Sequence, residues 1–459
     1  MEFIGRDVEL SVLQEQYIGQ EHPFVIIKGR RRVGKSKLIQ EFIKDKDHLY
    51  FQVDSEEPGE IIRSFCFAVS KKTGFNIPVA YSWTDAIELY LKLSHQERRI
   101  LVLDEFQYIL KADKNADKEF QSIWDNLLSR DDVMFIISGS YKTMMDKLTE
   151  YDQPLYGRNT CDIDLRPLDF RTCMTDDYRY SVEEYSFTGG IPHYMQLIDR
   201  KKSLKENIRR LTMDVGAPLL NEVPYLMGEE IRDIKNYNTY LKTLAMGNRK
   251  MEDISSSLRI KASDISPYLS RLIGSGVVDR RIPITDNPEK SRNGQYVISD
   301  RFISFWFRFV YPFRNDIILG DNDEALSEFD EHYIDSHVAF VFEGICRSEL
   351  RRFLRSKGVA ASYGAYWNGK IEIDVVAVDK KSKTVYLCEC KYWKSSVGRN
   401  VLSELIDDVR KTDVFDGYRK VYCLFSVSGF NKNLIKEELD VDCILFDKGE
   451  VVRMAGIDF

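Results

Sequence analysis

The sequence has no apolar run approaching bilayer length, so no membrane-spanning helix is expected. Its first residues, Met1-Glu2-Phe3-Ile4-Gly5-Arg6, lack the basic-then-apolar order of a signal peptide. The eight cysteines are scattered and include no C-x-x-C pair, which argues against a zinc ribbon or a disulfide scaffold. Cys388 and Cys390 alternate along an expected strand and are read as packing residues. Reduced thiols and a cytoplasmic location follow as expectations. There is no excess of positive charge. A net charge of −7 excludes a protein that coats nucleic acid indiscriminately, while leaving room for one basic module. With 43% hydrophobic and 30% charged residues the chain is not a largely disordered one. Its 459 residues suggest about three domains.

What is present begins at Gly29-Arg30-Arg31-Arg32-Val33-Gly34-Lys35-Ser36, which fits G-x-x-x-x-G-K-[ST] at every fixed position. Phe24-Val25-Ile26-Ile27 before it reads as a short buried strand, and Leu38 to Ile43 after it has helical apolar spacing. Such a loop wraps phosphate oxygens with backbone N–H groups at a helix N-terminus, which requires glycine where a Cβ would intrude. Lys35 is then expected to reach the β- and γ-phosphates of ATP, and the Ser36 hydroxyl to ligate Mg²⁺. Arg30, Arg31 and Arg32 are expected to point outward.

A second half-site follows. Arg99-Ile100-Leu101-Val102-Leu103-Asp104-Glu105 is an apolar strand ending in two acids. In phosphate-loop ATPases with an additional strand, the first acid holds the hydrated Mg²⁺ and the second polarises the attacking water. Asp104 and Glu105 match those roles. The next strand, Val133 to Ile137, ends in Ser138-Gly139-Ser140. Ser138 or Ser140 reads as a γ-phosphate sensor, and the tripeptide reads equally as a turn.

The chain resembles the archaeal-type ATPase family, signal-transducing (STAND) NTPases related to AAA+ proteins. The resemblance rests on motifs in order: Phe3-Ile4-Gly5-Arg6-Asp7-Val8-Glu9-Leu10, the phosphate loop, Leu103-Asp104-Glu105-Phe106-Gln107-Tyr108, Ser138-Gly139-Ser140, Leu155-Tyr156-Gly157-Arg158, and Phe187-Thr188-Gly189-Gly190-Ile191-Pro192. They cover about the first 230 residues. The resemblance implies that Ile4 to Arg6 approach the adenine, and that Gly190-Ile191-Pro192 belongs to a helical lid over the nucleotide. It also implies that Arg158 is either an arginine finger or an ordinary surface arginine paired with an acid.

From Tyr237 the pattern changes. Tyr240 to Ala245, Met251 to Leu258 and Ser263 to Ile273 read as three short helices, the last capped by Ser263 or by Ser266 before Pro267. Val277 to Ile284 and Gln295 to Ile298 read as a hairpin. Three helices and a hairpin make a winged-helix plan. Between Arg249 and Arg301 ten Lys or Arg face seven Asp or Glu, a local +3. Ser266, Tyr268, Ser270 and Arg271 are candidate contacts to DNA, as are Arg280 and Arg281; the other reading is a protein-docking module. Phe302 to Tyr311 forms an aromatic helix read as packing core. Asn315 to Glu331 is polar and reads as a linker.

The last segment carries Glu343 on an expected helix, Asp374 on a strand, and Glu389 and Lys391 on the next strand. Alternate strand residues share a face, so Glu389 and Lys391 project together towards Asp374. This is similar to the PD-(D/E)xK nuclease core, which implies that Glu343, Asp374 and Glu389 hold Mg²⁺ or Mn²⁺ and that Lys391 orients water. The segment also resembles the C-terminal domain that commonly follows the archaeal-type ATPase module.

The expected fold is therefore α/β and multidomain. Residues 1–165 form a phosphate-loop, AAA+-like parallel sheet and 166–230 a helical lid. Residues 231–315 form a winged helix with its aromatic connector, and 316–459 a restriction-endonuclease-like domain. The expected function is Mg²⁺-dependent ATP binding and hydrolysis coupled to DNA or RNA binding or cleavage, with homo-oligomerisation open. The alternatives are a nucleotide-dependent switch or scaffold with an inactive nuclease-like domain, and a protein-remodelling ATPase.

Overall fold

The computed structural model describes residues 3–94, 98–230 and 235–457. The chain forms two compact units. The first comprises the residues up to Thr172, Gly190–Leu197 and the segment beginning at Leu226; the second comprises Cys173–Gly189, Ile198–Tyr225 and the remainder. The segment expected as one lid thus contributes to both units.

The first unit is built on strands β1 (Phe24–Lys28), β2 (His48–Gln52), β3 (Arg99–Asp104), β4 (Val133–Gly139) and β5 (Cys161–Asp164). Their order is β2-β3-β4-β1-β5 and every pairing is parallel. β3 and β4 are buried at every residue, as expected of near-continuous apolar runs covered by helices on both faces. β4 lies between β1 and β3, so it is the additional strand. It extends to Gly139, which places Ser138 inside the strand and fully buried; the turn reading fails at that residue. Because the strands are parallel, the segments following β1, β3 and β4 emerge at one edge, where ligands bind in open α/β sheets.

In the second unit, helices Lys235–Ala245, Met251–Leu258 and Ala262–Gly274 precede a two-stranded antiparallel hairpin of β6 (Val278–Arg281) and β7 (Gln295–Ile298). The third helix begins at Ala262, after Lys261, and Ser263 is no cap: its hydroxyl donates to Asp264 at 3.0 Å. Ser266 and Pro267 lie inside that helix. β6 is shorter than expected and stops before Pro283, which has no N–H for a ladder. The intervening loop docks on the neighbouring sheet: Ile284 N–H donates to Ala365 O at 2.9 Å and Trp367 Nε1 to Asn293 O at 3.0 Å.

The aromatic helix is Arg301–Phe309, with Phe302, Ile303, Phe305 and Trp306 buried, and Trp306 Nε1 donates to Leu220 O at 2.9 Å. Asn315 to Glu331 is no linker. It forms helices Arg314–Leu319 and Asp323–His332, burying Ile317, Ala325 and Phe329. Sparse apolar residues at helical spacing suffice there, since Ala325 and Phe329 share one face.

Helix Ala339–Ser356 then leads into strands β8 (Ser362–Trp367), β9 (Glu372–Asp379), β10 (Thr384–Lys391), β11 (Arg419–Ser426), β12 (Cys443–Asp447) and β13 (Glu450–Ala455). The order is β13-β12-β11-β10-β9-β8, with β10, β11 and β12 parallel and the remaining pairs antiparallel. Helix Arg399–Arg410 crosses from β10 to β11. Its Val401, Leu402 and Leu405 pack against Ile373, Leu387 and Leu424 of the sheet.

Candidate functional site: the phosphate loop and the C-terminal acidic cluster

The phosphate loop joins β1 to helix Lys35–Ile43, whose N-cap is Gly34 at φ 102°, a left-handed conformation that favours glycine. A Cβ on Gly29 would lie 2.4 Å from Leu165 O, so backbone approach fixes that glycine too. Lys35 is buried and its Nζ donates to Gly29 O at 3.0 Å and Arg30 O at 3.3 Å. Arg6 is also buried, and its Nη2 donates to Val33 O at 3.0 Å and Arg166 O at 2.8 Å. The arginine expected near the adenine anchors the loop backbone.

A cavity of about 310 Å³ opens over the loop. Ile4, Arg6, Arg32, Val33, Gly34, Lys35, Ser36, Glu105 and Pro192 all line it. Helix Pro192–Gln196 also brings His193, Met195 and Gln196, which sequence reasoning missed. Burial and the charge of Arg32 pull the His193 pKa down. The three loop arginines do not behave alike. Arg31 is exposed, whereas Arg30 is half-buried and donates to the Tyr194 hydroxyl at 3.1 Å. Arg32 faces the cavity, contrary to the outward direction expected of it.

At the end of β3, Asp104 is fully buried and accepts four hydrogen bonds. Ser36 Oγ donates to Oδ2 at 2.6 Å, Tyr50 Oη to Oδ2 at 2.5 Å, the Glu105 N–H to Oδ1 at 3.0 Å, and Ser138 Oγ to Oδ1. The hydroxyl expected to ligate the metal thus meets the acid expected to share it. Burial and Asp104 raise the Tyr50 pKa, keeping the phenol a donor. Ser36 and Asp104 offer hard oxygens beside the loop lysine, a donor set that suits a Mg²⁺ retaining several waters.

Glu105 has φ 58°, an uncommon value for a residue with a side chain, and it lines the cavity. Its Oε2 accepts from Ser140 Oγ at 2.7 Å and from Gln107 Nε2. Gln107 is fully buried; its Oε1 accepts the Ser140 N–H at 3.2 Å. Sequence reasoning missed Tyr50 and the role of Gln107. Gln107 could have been noticed as a polar residue two positions after the acids, in a segment otherwise apolar.

Arg158 is not brought to the cavity. Its Nε and Nη2 donate to both carboxylate oxygens of Asp125, at 2.9 and 2.8 Å, and Nη1 donates to Pro154 O. In this conformation it is the surface arginine paired with an acid.

In the second unit, the mixed sheet draws the C-terminal cluster together. Asp374 Oδ2 accepts the Cys390 N–H at 2.8 Å, and Lys391 Nζ donates to Glu389 Oε1 at 2.6 Å. Burial, then Glu389 and Glu343, raises the Asp374 pKa well above the ordinary carboxylate range. Burial pushes Glu343 up to about 7 against the opposing pull of Arg249. Burial pulls Lys391 down, but its bond to Glu389 outweighs this and holds the ammonium. Among the described residues no three His, Cys, Asp or Glu side chains converge as a metal-holding group. Glu343, Asp374 and Glu389, expected to share a cation, do not form such a cage: Glu389 is turned to Lys391 and Asp374 to the β10 backbone. Cys390 is half-buried, and burial raises its thiol pKa, which suits a packing role.

Arg280 and Arg281, both candidate DNA contacts, face different surroundings. Arg280 donates to Pro288 O and Ser291 O of its own hairpin loop, while Arg281 lies over the Phe340 ring, its Cζ 4.9 Å from the centroid. On the third helix Ser266, Ser270 and Arg271 are exposed, whereas Tyr268 stacks on Tyr240 at 4.8 Å.

The sheet order, the glycine-built loop and the Ser36–Asp104 contact define a phosphate-loop ATPase of the additional-strand type. Residues 3–198 match the model of an ATPase domain predominantly from Archaea, and residues 306–401 match a family described as archaeal and bacterial proteins of unknown function. An uncharacterized protein of Methanocaldococcus jannaschii is 30% identical over 457 residues, covering 97% of this chain and 99% of that protein. The chain belongs to this archaeal-type ATPase family. A Walker-type ATPase of Pyrococcus abyssi shares the fold at 18% identity and a TM-score of 0.50, covering 67% of this chain and 96% of its own. The ORC2 protein of Aeropyrum pernix matches at 12% identity and a TM-score of 0.42, over 72% of this chain and 96% of that one. Among the described residues no helix is long and apolar enough to cross a membrane.

Proposed function

We propose that the chain binds ATP with Mg²⁺ at the phosphate loop, hydrolyses it slowly, and uses nucleotide state to govern nucleic-acid binding by the second unit. The observation that carries this reading is the Ser36 Oγ to Asp104 Oδ2 contact of 2.6 Å beside the buried Lys35. Ser36 and Asp104 would hold the cation, whose contribution is to neutralise phosphate charge. Lys35 would exchange its bonds to Gly29 O and Arg30 O for phosphate oxygens. Glu105, fixed by Ser140 and Gln107, would accept the proton of the attacking water. Ser138, bonded to Asp104, would keep that acid oriented, and Pro192 would begin the segment covering the nucleotide.

In this reading residues 231–315 act as the winged helix, and the acids and lysine of β9 and β10 sit in a nuclease-like frame. The helix–three strands–helix–strand order from Ala339 to Ser426 supports that frame. Among the described residues Glu343, Asp374 and Glu389 form no cation cage, and in this reading the output of the second unit is DNA or RNA binding.

The test is ATP binding and phosphate release by the full chain. Lys35→Ala should lose nucleotide binding, while Glu105→Gln should retain it and lose hydrolysis by about 10²-fold or more. Hydrolysis at the wild-type rate in Glu105→Gln would remove that residue from the base role. Incubating wild type and Asp374→Ala with DNA and RNA, Mg²⁺ or Mn²⁺, with and without ATP, tests the second unit; nicking lost in Asp374→Ala would add cleavage to binding.

A further inference from the structure

Three arginines converge in the second unit from separate elements. Arg249 precedes the second short helix, where Lys250 bridges to Gln295 of β7; Arg281 ends β6; and Arg347 lies one helical turn beyond Glu343 on helix Ala339–Ser356. All three line a cavity of about 180 Å³, below the size of a typical organic-ligand pocket. All are half-buried. Arg249 and Arg281 lie over the Phe340 ring, their Cζ atoms 3.6 and 4.9 Å from its centroid. Stacking of this kind holds the guanidinium plane while leaving its N–H edge free to bond elsewhere.

None of the three guanidiniums makes a hydrogen bond or an ion pair within 4 Å to a described residue, although Glu343, Glu372 and Asp374 line the same cavity. The acids compensate them poorly. Burial holds Glu343 at about 7 and raises Asp374 well above its ordinary value, and Glu372 is exposed. Burial and the nearby Arg347 pull Arg281 down to about 10 against the opposing pull of Glu343. Guanidinium groups match the oxygen spacing of phosphate bidentately, and a pocket of this size accepts one phosphate group.

We propose that Arg249, Arg281 and Arg347 form a phosphate clamp beside Asp374, taking either one phosphodiester of a nucleic-acid strand or the phosphate of a small molecule. The strand as source rests on the proposed nucleic-acid binding by the second unit; the clamp itself does not. Because the arginines come from both the hairpin module and the nuclease-like frame, a bound phosphate would be held by both.

The experiment uses the full chain carrying Lys35→Ala, so that the phosphate loop does not report, in EDTA to prevent metal-dependent chemistry. Binding of a 5′-hydroxyl single-stranded DNA is followed by anisotropy and that of pyrophosphate by thermal shift, with and without Arg281→Gln/Arg347→Gln. The expected result is DNA binding weakened tenfold or more in the arginine variant. Its dependence of log K on log salt should be shallower by about 0.7, the loss of one neutralised phosphate on a single strand. Pyrophosphate stabilisation lost in the variant, with no DNA binding by either protein, would keep the clamp, assign it to small phosphates and remove the nucleic-acid reading. Equal DNA binding with and without the arginines would overturn the clamp while leaving that reading intact. Binding of neither ligand would overturn both. Without ligand the arginine variant should melt no lower than its parent, because uncompensated charge has been removed; a variant that fails to fold would make the arginines structural and overturn the proposal.

Discussion

Glu105 sits at φ 58°, a conformation that costs a side-chain-bearing residue about 1–3 kcal/mol unless its surroundings enforce it. In this protein they do. The following Phe106 N–H donates to Ser138 O at 2.8 Å, and Ser140 and Gln107 hold the carboxylate. Gln107→Ala removes one of those ties and leaves the Ser140 N–H without its acceptor. ATP affinity should be retained while kcat falls by up to about 10²-fold, the usual cost of a displaced catalytic group. Equilibrium ATP titration and phosphate release measured on the same preparation separate the two effects. At this scale the sequence is readable where chemistry is local. Gly29, Lys35 and Ser36 belong to one loop, and Asp104 and Glu105 to one strand end. Tyr50 is not readable, because its contact with Asp104 spans fifty-four positions and depends on β2 and β3 being neighbours.

At the scale of elements, helix Arg301–Phe309 and the segment after it enclose His337. The ring is buried, donates from Nε2 to Ser186 O at 2.9 Å, and stacks on Tyr333 at 5.7 Å. Burial lowers its pKa to about 4 from an ordinary value near 6.5, with Arg301, Arg249 and Arg308 reinforcing the shift against the opposing bond to Ser186. A depressed folded-state pKa gives stability that is complete above pH 6.5 and is lost as pH falls towards 4. The loss should be on the order of 3 kcal/mol. Urea midpoints at pH 7 and pH 4.5 should separate by more in wild type than in His337→Gln, whose amide can keep the Ser186 bond without titrating. Strand and helix types are legible from alternation and apolar spacing, as at β10, where the expected strand and the observed one both run from Thr384 to Lys391. The two helices within Asn315 to Glu331 are not, because so few apolar residues carry their packing. The start of the third helix is obscured because Ser263 bonds its neighbour Asp264 instead of the backbone.

At the scale of the molecule, two units with separate sheets imply two thermal transitions. ATP with Mg²⁺ binds only the first under the proposed function. At 100 times its Kd the nucleotide should stabilise one transition by about 2.7 kcal/mol and leave the other in place. Calorimetry of wild type and Lys35→Ala checks this, and the variant should show no shift. How the segments group is not legible in the sequence: Gly190–Leu197 joins the first unit while the flanking residues join the second, an arrangement set by contacts distant in sequence.

The loop between β6 and β7 has a consequence for solubility. β8 is the outermost strand of the six-stranded sheet, and an open edge of that kind invites pairing with another chain. Ile284 and Asn293 occupy that edge through Ala365 O and Trp367 Nε1, and a Cβ on Gly364 would lie 3.0 Å from Ile284. Replacing 282–294 by a tight turn, which removes Ile284 and Asn293, should uncover the edge. Light scattering should then report more concentration-dependent self-association than the intact protein gives. The hairpin loop thus doubles as a cover for the exposed edge of the sheet beside it.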